Sequence, residues 1–431
     1  MENANHAGRP GAEQEIDSGP GSRSRQAEPR PRTGPRSWLF HLILLSLPAL
    51  LVAVLLLEVA VRLVAPVSDY PDVHFEAPLG RRFVPNQEGR FVKGLPTEID
   101  ARYRINGAGW NAPREYKPNE PRPEVFRIAV IGDSYVEALQ VDVDRSYPYL
   151  VEEYLVEELV NGEQAQRVEV QTYGHSGANL AQYLNVLRHA VLDTGPDLVI
   201  VNVVANDYRE SFHGVGPRDF WSIRAGDGPG DDGFEEIAPT PPGDGGRLQI
   251  KRMARRSALV RYLALNFSIE SRLRFLTGRL RSEAYAGNVR RSELQDLAAS
   301  PELRPALEYL FGSMARAAAE HPSSPRFLAV FDTDLAALQR GDDPRRSAVY
   351  PVHQLAMDVA TAARFAVLDL TPIFLDAQSR SDAPFSWRSD GHWNPRGHAV
   401  VAEAVAEAVA DWIRAEAPAD EEEDGARQGP P

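Results

Sequence analysis

"RIAVIGDSYVEALQV" runs from Arg127 to Val141. The apolar residues around its start predict a short buried strand over 126–131. That strand ends abruptly at Gly132-Asp133-Ser134, and a helix-like stretch follows. In open α/β sheets the ligand site lies beyond the carboxyl ends of the strands. Ser134 is therefore placed where such folds expose their chemistry.

Working outward, the same alternation recurs. Residues 147–160 are amphipathic, with Ser146 ahead, Pro148 near the first turn and Gly162 beyond the end, which are helix start and stop signals. Residues 167–172 alternate weakly and predict a strand, and Leu180, Leu184, Leu187 and Val191 follow at helical spacing. "DLVIVNVV" (197–204) is a continuous apolar run of strand length, as a parallel strand covered on both faces requires. "RFLAVFDT" (326–333) and "FAVLDLT" (365–371) predict two more strands; 303–320, 350–363 and 395–414 predict helices. The fold class that follows is α/β, a parallel sheet with helices on both faces.

Other segments fit this pattern less well. Residues 66–124 are rich in Pro, Arg and aromatics, and "ARYRINGAGWN" (101–111) predicts a small β extension packed on the sheet. Residues 213–249 hold many Gly, Pro and Asp residues and predict a long mobile loop. The Arg- and Leu-rich stretch 252–283 predicts a helix with a solvated, charge-rich face, with a cap or a basic membrane-facing side as the other readings.

The 431 residues, 43% hydrophobic and 25% charged, suffice for one large domain or two modest ones. A formal net charge of −14 leaves no broad basic surface for neutralising phosphates, which argues against nucleic acid as a partner. There is no cysteine, so a disulfide framework, a thiolate nucleophile and a cysteine-ligated zinc are excluded.

Residues 1–37 are polar and rich in Gly, Pro, Ser and Arg, the composition of a disordered tail. "WLFHLILLSLPALLVAVLLL" (Trp38–Leu57) then carries no formal charge with His41 neutral. As a helix, this run spans roughly 30 Å, the thickness of a hydrocarbon core. Arg23, Arg25, Arg30, Arg32 and Arg36 precede it, while Glu58, Arg62, Asp69 and Asp72 follow. The positive-inside rule then puts the N-terminus in the cytoplasm and the body outside. The run is long for a signal-peptide core and no clear cleavage site follows, which favours an uncleaved inner-membrane anchor over 38–64. Glu58 and Arg62 are spaced to pair as i, i+4. The chain thus divides into a cytoplasmic tail (1–37), the anchor (38–64), an extracytoplasmic linker or β extension (65–124), the α/β domain (125–415) with an insertion around 213–320, and an acidic tail (416–431).

Four separated pieces bear chemistry: "GDSY" (132–135), "YGHSGAN" (173–179), "VANDY" (204–208) and "SDGHWNPRGH" (389–398). Together they resemble the SGNH (GDSL) hydrolase superfamily, through Gly132-Asp133-Ser134, Gly177, Asn206-Asp207, and Asp390 with His392. The bacterial, membrane-anchored members are the most similar. The resemblance covers roughly 126–210 and 385–412, and implies a flavodoxin-like parallel sheet. It also implies a Ser134–His392–Asp390 triad: His392 takes the serine proton and Asp390 fixes the imidazole's tautomer. The oxyanion donors implied are the backbone N–H groups of Ser134 and Gly177 and the side-chain amide of Asn206.

The sequence departs from the family pattern in three places. Tyr135 stands where the motif has Leu, Val204 stands where a Gly usually precedes the third block's Asn, and Asp390 and His392 have one intervening residue where two are common. In an extended segment i and i+2 point to one side, so the pair is expected to cooperate, with Asp382 as the reserve orienter. Asp133, His175 and His398 read as structural. Asn206-Asp207 alone would suit an Asx turn and helix cap. No HExxH or clustered His/Asp spacing suggests a metal, and no Gly-x-Gly-x-x-Gly turn suggests a dinucleotide, so no cofactor is expected. An α/β-hydrolase elbow is missing its second glycine, since Val136 occupies that place.

Three functions remain open on these residues. The first is an anchored serine esterase acting on an acyl ester, borne by a glycan or a lipid. The second is an O-acyltransferase acting on exported or cell-surface glycans. The third is a non-catalytic binding protein on the same scaffold.

Overall fold

The computed structural model describes residues 40, 42–116, 125–161, 167–226, 233–241, 243, 255–267, 285–286 and 289–416. The tails expected at 1–37 and 417–431, and much of 244–284, lie outside the described residues. The chain forms two compact units, Met1–Leu56 and Leu57–Pro431.

In the first unit a π-helical turn, Leu42–Ser46, leads into the helix Leu47–Val64, which continues into the second unit. Ile43–Val64 is 22 residues with mean hydropathy 2.6 and no buried side chain, long and apolar enough to cross a membrane by length and composition. Just inside the second unit, Arg62 Nε donates to Glu58 Oε1 at 2.7 Å, the i, i+4 pair expected from sequence. The Glu58 carboxylate also accepts from Ser257 Oγ (2.7 Å) and from the backbone N–H groups of Ala258 and Leu259 (both 2.9 Å), which start the helix Ala258–Phe267.

The second unit begins with two antiparallel pairs, β1 (Val73–Glu76) with β2 (Gly80–Phe83) and β3 (Gln87–Lys93) with β4 (Ile99–Ile105). β4 alternates buried and exposed along its whole length, the pattern of a strand with one face packed and one solvated. The central sheet follows: β5 (Val125–Gly132), β6 (Arg167–Gly174), β7 (Leu198–Val203), β12 (Arg326–Phe331) and β13 (Ala366–Asp369). All its neighbours are parallel and the order is β13-β12-β7-β5-β6. Numbered along the chain this is 2-1-3-4-5, the flavodoxin-like order.

The three inner strands are buried on both faces, which explains their largely apolar sequences. Successive strand residues point to opposite sides. Ala129, Ile131, Val199 and Val201 accordingly pack on the layer holding the helices Leu180–Val186, Leu303–Ala319 and Tyr350–Ala362. Ile128, Val130, Leu198 and Ile200 pack on the layer holding Tyr147–Asn161, Leu370–Arg380 and Pro395–Glu416.

The observed elements depart from expectation in three places. The last predicted strand stops at Asp369, whose side chain accepts from Thr371 N and caps the helix Leu370–Arg380. The expected loop at 213–249 contains a hairpin, β8 (Ser222–Ala225) with β9 (Phe234–Ile237). Within 252–283, the described helix is Ala258–Phe267. A further hairpin, β10 (Tyr285–Ala286) with β11 (Val289–Arg290), lies just beyond.

Candidate active site

β5 ends where its register partner on β6 also ends, at the pair Gly132–Gly174. Gly174 permits the approach: a Cβ there would stand 2.2 Å from the backbone N of Glu137 and 2.6 Å from the carbonyl carbon of Val136. The first block is thereby pressed onto the end of β6. Asp133 caps the short helix Ser134–Glu137, its side chain accepting from Tyr135 N at 3.0 Å. The helix stops at Ala138 in the left-handed region, leaving Ser134 at the carboxyl edge of the sheet with 8% of its surface exposed.

His392 arrives from the far end of the chain. Ser386 bridges Trp393, Asn394 N donates to Phe385 O at 2.8 Å, and Trp393 is fully buried. Those contacts pin the segment carrying His392 beside the first block. The Ser134 hydroxyl has two acceptors within reach: His392 Nε2 at 2.7 Å and Asp133 Oδ2 at 3.2 Å. On the other side of the ring, Nδ1 is hydrogen-bonded to Asp390 Oδ1, which also accepts from His392 N at 3.1 Å. Residues 388–392 form a bend, not the extended segment that sequence reasoning assumed. The one-residue spacing works because a single carboxylate oxygen meets both the backbone and the ring of His392. Asp382 is exposed, whereas Asp390 is buried against the imidazole.

A further residue, absent from the sequence reading, completes the chain of contacts. Lys93, the last residue of β3, donates from Nζ to Asp390 Oδ2 at 2.6 Å. Nothing in the local sequence marks it, because the contact joins positions 297 residues apart.

The electrostatics follow from burial and pairing. Burial pulls the His392 imidazole down, but the hydrogen bond and charge of Asp390 outweigh it, with Asp133 adding to the rise, so the ring titrates above its ordinary value. Burial favours a protonated Asp390, yet His392 and Lys93 hold the carboxyl well below the usual range. Asp390 is thus ionised wherever His392 acts as a base.

Gly177 and Asn206 follow β6 and β7, the two strands flanking β5. His175 O accepts from Ala178 N at 2.9 Å, closing a turn with Gly177 at its third position and φ of +79°. Such a turn needs a residue that tolerates positive φ, hence glycine. The buried Glu137 holds this turn: its Oε1 accepts from Ser176 Oγ at 2.8 Å and its Oε2 from Ser176 N. Burial pushes Glu137 up to about 7. Asn206 opens the helix Ala205–Glu210, and among the described residues its Nδ2 has one acceptor, Glu210 Oε2, at a long 3.5 Å. Asp207 serves structure, accepting from Val204 N (2.9 Å) and Tyr183 OH (3.0 Å).

His175 stacks on Phe83 at 4.5 Å between centroids and meets Phe220 edge-on, and burial pushes it down to about 3. His398 accepts from Tyr147 N at 3.1 Å through Nδ1 and is likewise pushed down to about 3 by burial. Both are neutral packing residues. Tyr135 lies 4.9 Å from the His392 ring and walls it on one side. A cavity of about 520 Å³ lies beside the site rather than over Ser134; its lining includes Glu98, Gln140, Asp142, Tyr154 and Trp387.

Residues 335–428 match the family model ALGX, described as the SGNH hydrolase-like domain of the acetyltransferase AlgX. Over those residues the chain is similar to an SGNH hydrolase-like domain. The family match includes Asp390 and His392 and begins after Ser134, Gly177 and Asn206, which lie at the carboxyl edge of the same sheet. No curated protein matches the chain. Among solved structures, a two-domain esterase (CEX) active on acetylated mannans is similar at 12% identity and TM-score 0.37, over 69% of this chain and 51% of that one. This chain therefore spans about half the length of that esterase. The lipase Lip_vut3 from a goat rumen metagenome is similar at 9% identity and TM-score 0.38, over 66% and 97% of the two chains. The acetyl xylan esterase AlAXEase is similar at 12% identity and TM-score 0.36, over 66% and 99%.

Proposed function

We propose that this SGNH-type domain is a serine esterase held at the cytoplasmic membrane by the apolar helix and working on its outer side. The observation that carries the reading is the run of contacts from Ser134 Oγ to His392 Nε2 at 2.7 Å and from His392 Nδ1 to Asp390. A serine hydroxyl becomes a nucleophile when a positioned base removes its proton as attack begins. Here Ser134 Oγ bonds to the ester carbonyl carbon while its proton passes to His392 Nε2. The carbonyl oxygen takes the negative charge, toward the N–H groups of Ser134 and Gly177 and the Asn206 amide. Collapse breaks the ester C–O bond, and the alkoxide leaves with the proton from Nε2. Water then gives a proton to Nε2 as its oxygen attacks the acyl-enzyme, and the acid is released with Ser134 restored.

The match to the domain of an acetyltransferase favours a second reading of the same site. In it a sugar hydroxyl replaces water in the last step, and the acyl group passes to an exported glycan. Outward placement rests on the five arginines before the span, against Glu58 and the aspartates after it.

The test is a fluorophosphonate probe on the full chain in detergent. Labelling at Ser134, abolished in Ser134→Ala, is expected. An unlabelled folded wild type would favour the binding-protein reading. With an acyl ester donor, free acid alone supports hydrolysis, and acylated acceptor formed from an added glycan supports transfer.

A further inference from the structure

β3 belongs to the N-terminal extension, yet its last residue reaches the candidate active site. Asp390 has two carboxylate oxygens and two jobs. Oδ1 is committed to the ring and backbone N–H of His392. Oδ2 meets Lys93 Nζ at 2.6 Å and has no other partner among the described residues. The Asp390 side chain is 6% exposed and that of Lys93 21%, so the pair is largely out of water. From this we propose that Lys93 is a positioning residue of the site: it clamps Asp390 by its second oxygen so that the first stays on His392. The proposal rests on the catalytic reading given above.

The clamp has two physical consequences. A buried carboxylate with one oxygen unpaired would rotate toward any donor or water it could find, and rotation would break the alignment to Nδ1. Lys93 fixes the carboxylate from the side opposite His392. Its charge also opposes the imidazolium through Asp390, moderating the rise that the carboxylate imposes on the ring. The other charged or titratable groups acting on the pair are Asp133, Glu137, His398, Tyr135 and Tyr70. Lys93 differs from them in touching Asp390 directly with a positive charge.

The experiment compares full-length wild type, Lys93→Met and Lys93→Arg in detergent. Fluorophosphonate labelling rates are measured from pH 5 to 9, together with the NMR titration of the His392 imidazole. Loss of one unit charge beside this buried carboxylate moves the imidazole's titration by about one pH unit. Lys93→Met is therefore expected to raise the labelling midpoint and the His392 titration by about one pH unit. The plateau rate should also fall by about tenfold, a cost typical of misplaced catalytic groups. Lys93→Arg, which keeps the charge, restores the midpoint.

Should Lys93→Met fail to fold, Lys93→Cys provides a second route, because the chain holds no other cysteine. Aminoethylation of that thiol rebuilds an ammonium at the same reach, and recovery of the wild-type midpoint is expected. The clamp is overturned if Ser134 labels normally and neither Lys93→Met nor unmodified Lys93→Cys changes plateau or midpoint relative to wild type, or if aminoethylation of Lys93→Cys restores neither. If wild type does not label but the His392 titration still follows the charge at 93, the esterase reading fails and the clamp stands.

Discussion

Replacing Asp390 with Asn tests the triad reading most sharply, because it changes a charge and a tautomer while keeping the shape. In the wild type, Asp390 Oδ1 accepts from His392 N and Nδ1, and Oδ2 accepts from Lys93. An asparagine has one acceptor oxygen and one amide nitrogen. Lys93 can only donate, so the oxygen is drawn to Nζ and the amide nitrogen is turned toward His392. An NH₂ group facing Nδ1 makes Nδ1 the acceptor and moves the ring proton to Nε2. Nε2 then points a hydrogen at Ser134 Oγ, 2.7 Å away, and cannot take the serine proton. The loss expected from a wrong tautomer in such a triad is about 10⁴ in kcat, or about 5.5 kcal/mol of transition-state stabilisation. The assay is hydrolysis of a short acyl ester by the full chain, with fluorophosphonate labelling as the substrate-free measure. Near-wild-type melting and circular dichroism would show that the fold survives. Removing Lys93 as well frees the amide oxygen to turn toward Nδ1, so Asp390→Asn combined with Lys93→Met should recover part of the loss and still remain impaired by at least about 10² for want of the carboxylate charge. A folded Asp390→Asn enzyme within tenfold of wild type in both assays would refute the assignment of Asp390, and with it the tautomer argument.

Asn206→Ala should lower kcat by about 10²–10³ with little effect on stability, since among the described residues its amide makes one long contact, to Glu210, and is otherwise available to a developing oxyanion. Steady-state kinetics on the folded variant check this. On the proposed mechanism activity requires neutral His392, and the ring titrates above the ordinary histidine value of about 6.5. The rate should therefore fall on acidification with a midpoint above that value, read from kcat/KM against pH. Gly174→Ala should cost about 2–3 kcal/mol in denaturant melts, because its Cβ would strike backbone atoms that no side-chain rotation can move. His175 is held neutral down to about pH 3 by burial, whereas the unfolded chain protonates it near 6.5. Its contribution is intact above about 6.5 and is lost as pH falls, reaching about 2 kcal/mol by pH 5. His175→Phe keeps the stack on Phe83 and should flatten the pH dependence by that amount relative to wild type. The opposing contribution of Asp332, raised by burial, is common to the two proteins and cancels in the difference, whereas Glu137 Oε2 lies 3.6 Å from His175 Nδ1 and its titration is part of what the substitution reports.

The central sheet was legible because its inner strands are covered on both sides and so are largely apolar, as β5 and β7 are apart from Arg127 and Asn202. The approach of His392 to Ser134, and the placing of Gly177 and Asn206 after the strands that flank β5, could be anticipated because each of the four follows a strand or precedes a helix. The helix Leu370–Arg380 was missed although Asp369 and Pro372 are both start signals, because the apolar run of β13 continues into its first turn. The hairpin β8–β9 was hidden by glycines and aspartates that read as loop. Lys93 was out of reach for a different reason. A lysine ending an exposed hairpin strand looks like an ordinary surface charge, and only the packing of that hairpin beside residues 388–392 gives it a carboxylate to hold.

That packing changes what the N-terminal extension is for. Leu139, one turn beyond Ser134, is buried among Phe83, Phe91, Ile99 and Ile105 of the extension strands. Arg81 forms a two-point contact with Asp219, and Gln182 Nε2 donates to Leu79 O, tying β2 and its lead-in to the segments after β6 and β7. Tyr116 OH reaches Thr172 on β6 itself. The extension therefore touches the first block through Leu139, the second through the Phe83–His175 stack, and the last through Lys93. A group that must hold an imidazole to within a few tenths of an ångström is better built on packed strands than on a loop. Residues 388–392 are a bend with no ladder of their own, and β3 supplies the rigidity that they lack. The groups proposed to form an acyl-enzyme are the same for hydrolysis and for transfer, so the two readings differ in which nucleophile, water or a sugar hydroxyl, reaches Ser134 beside this frame.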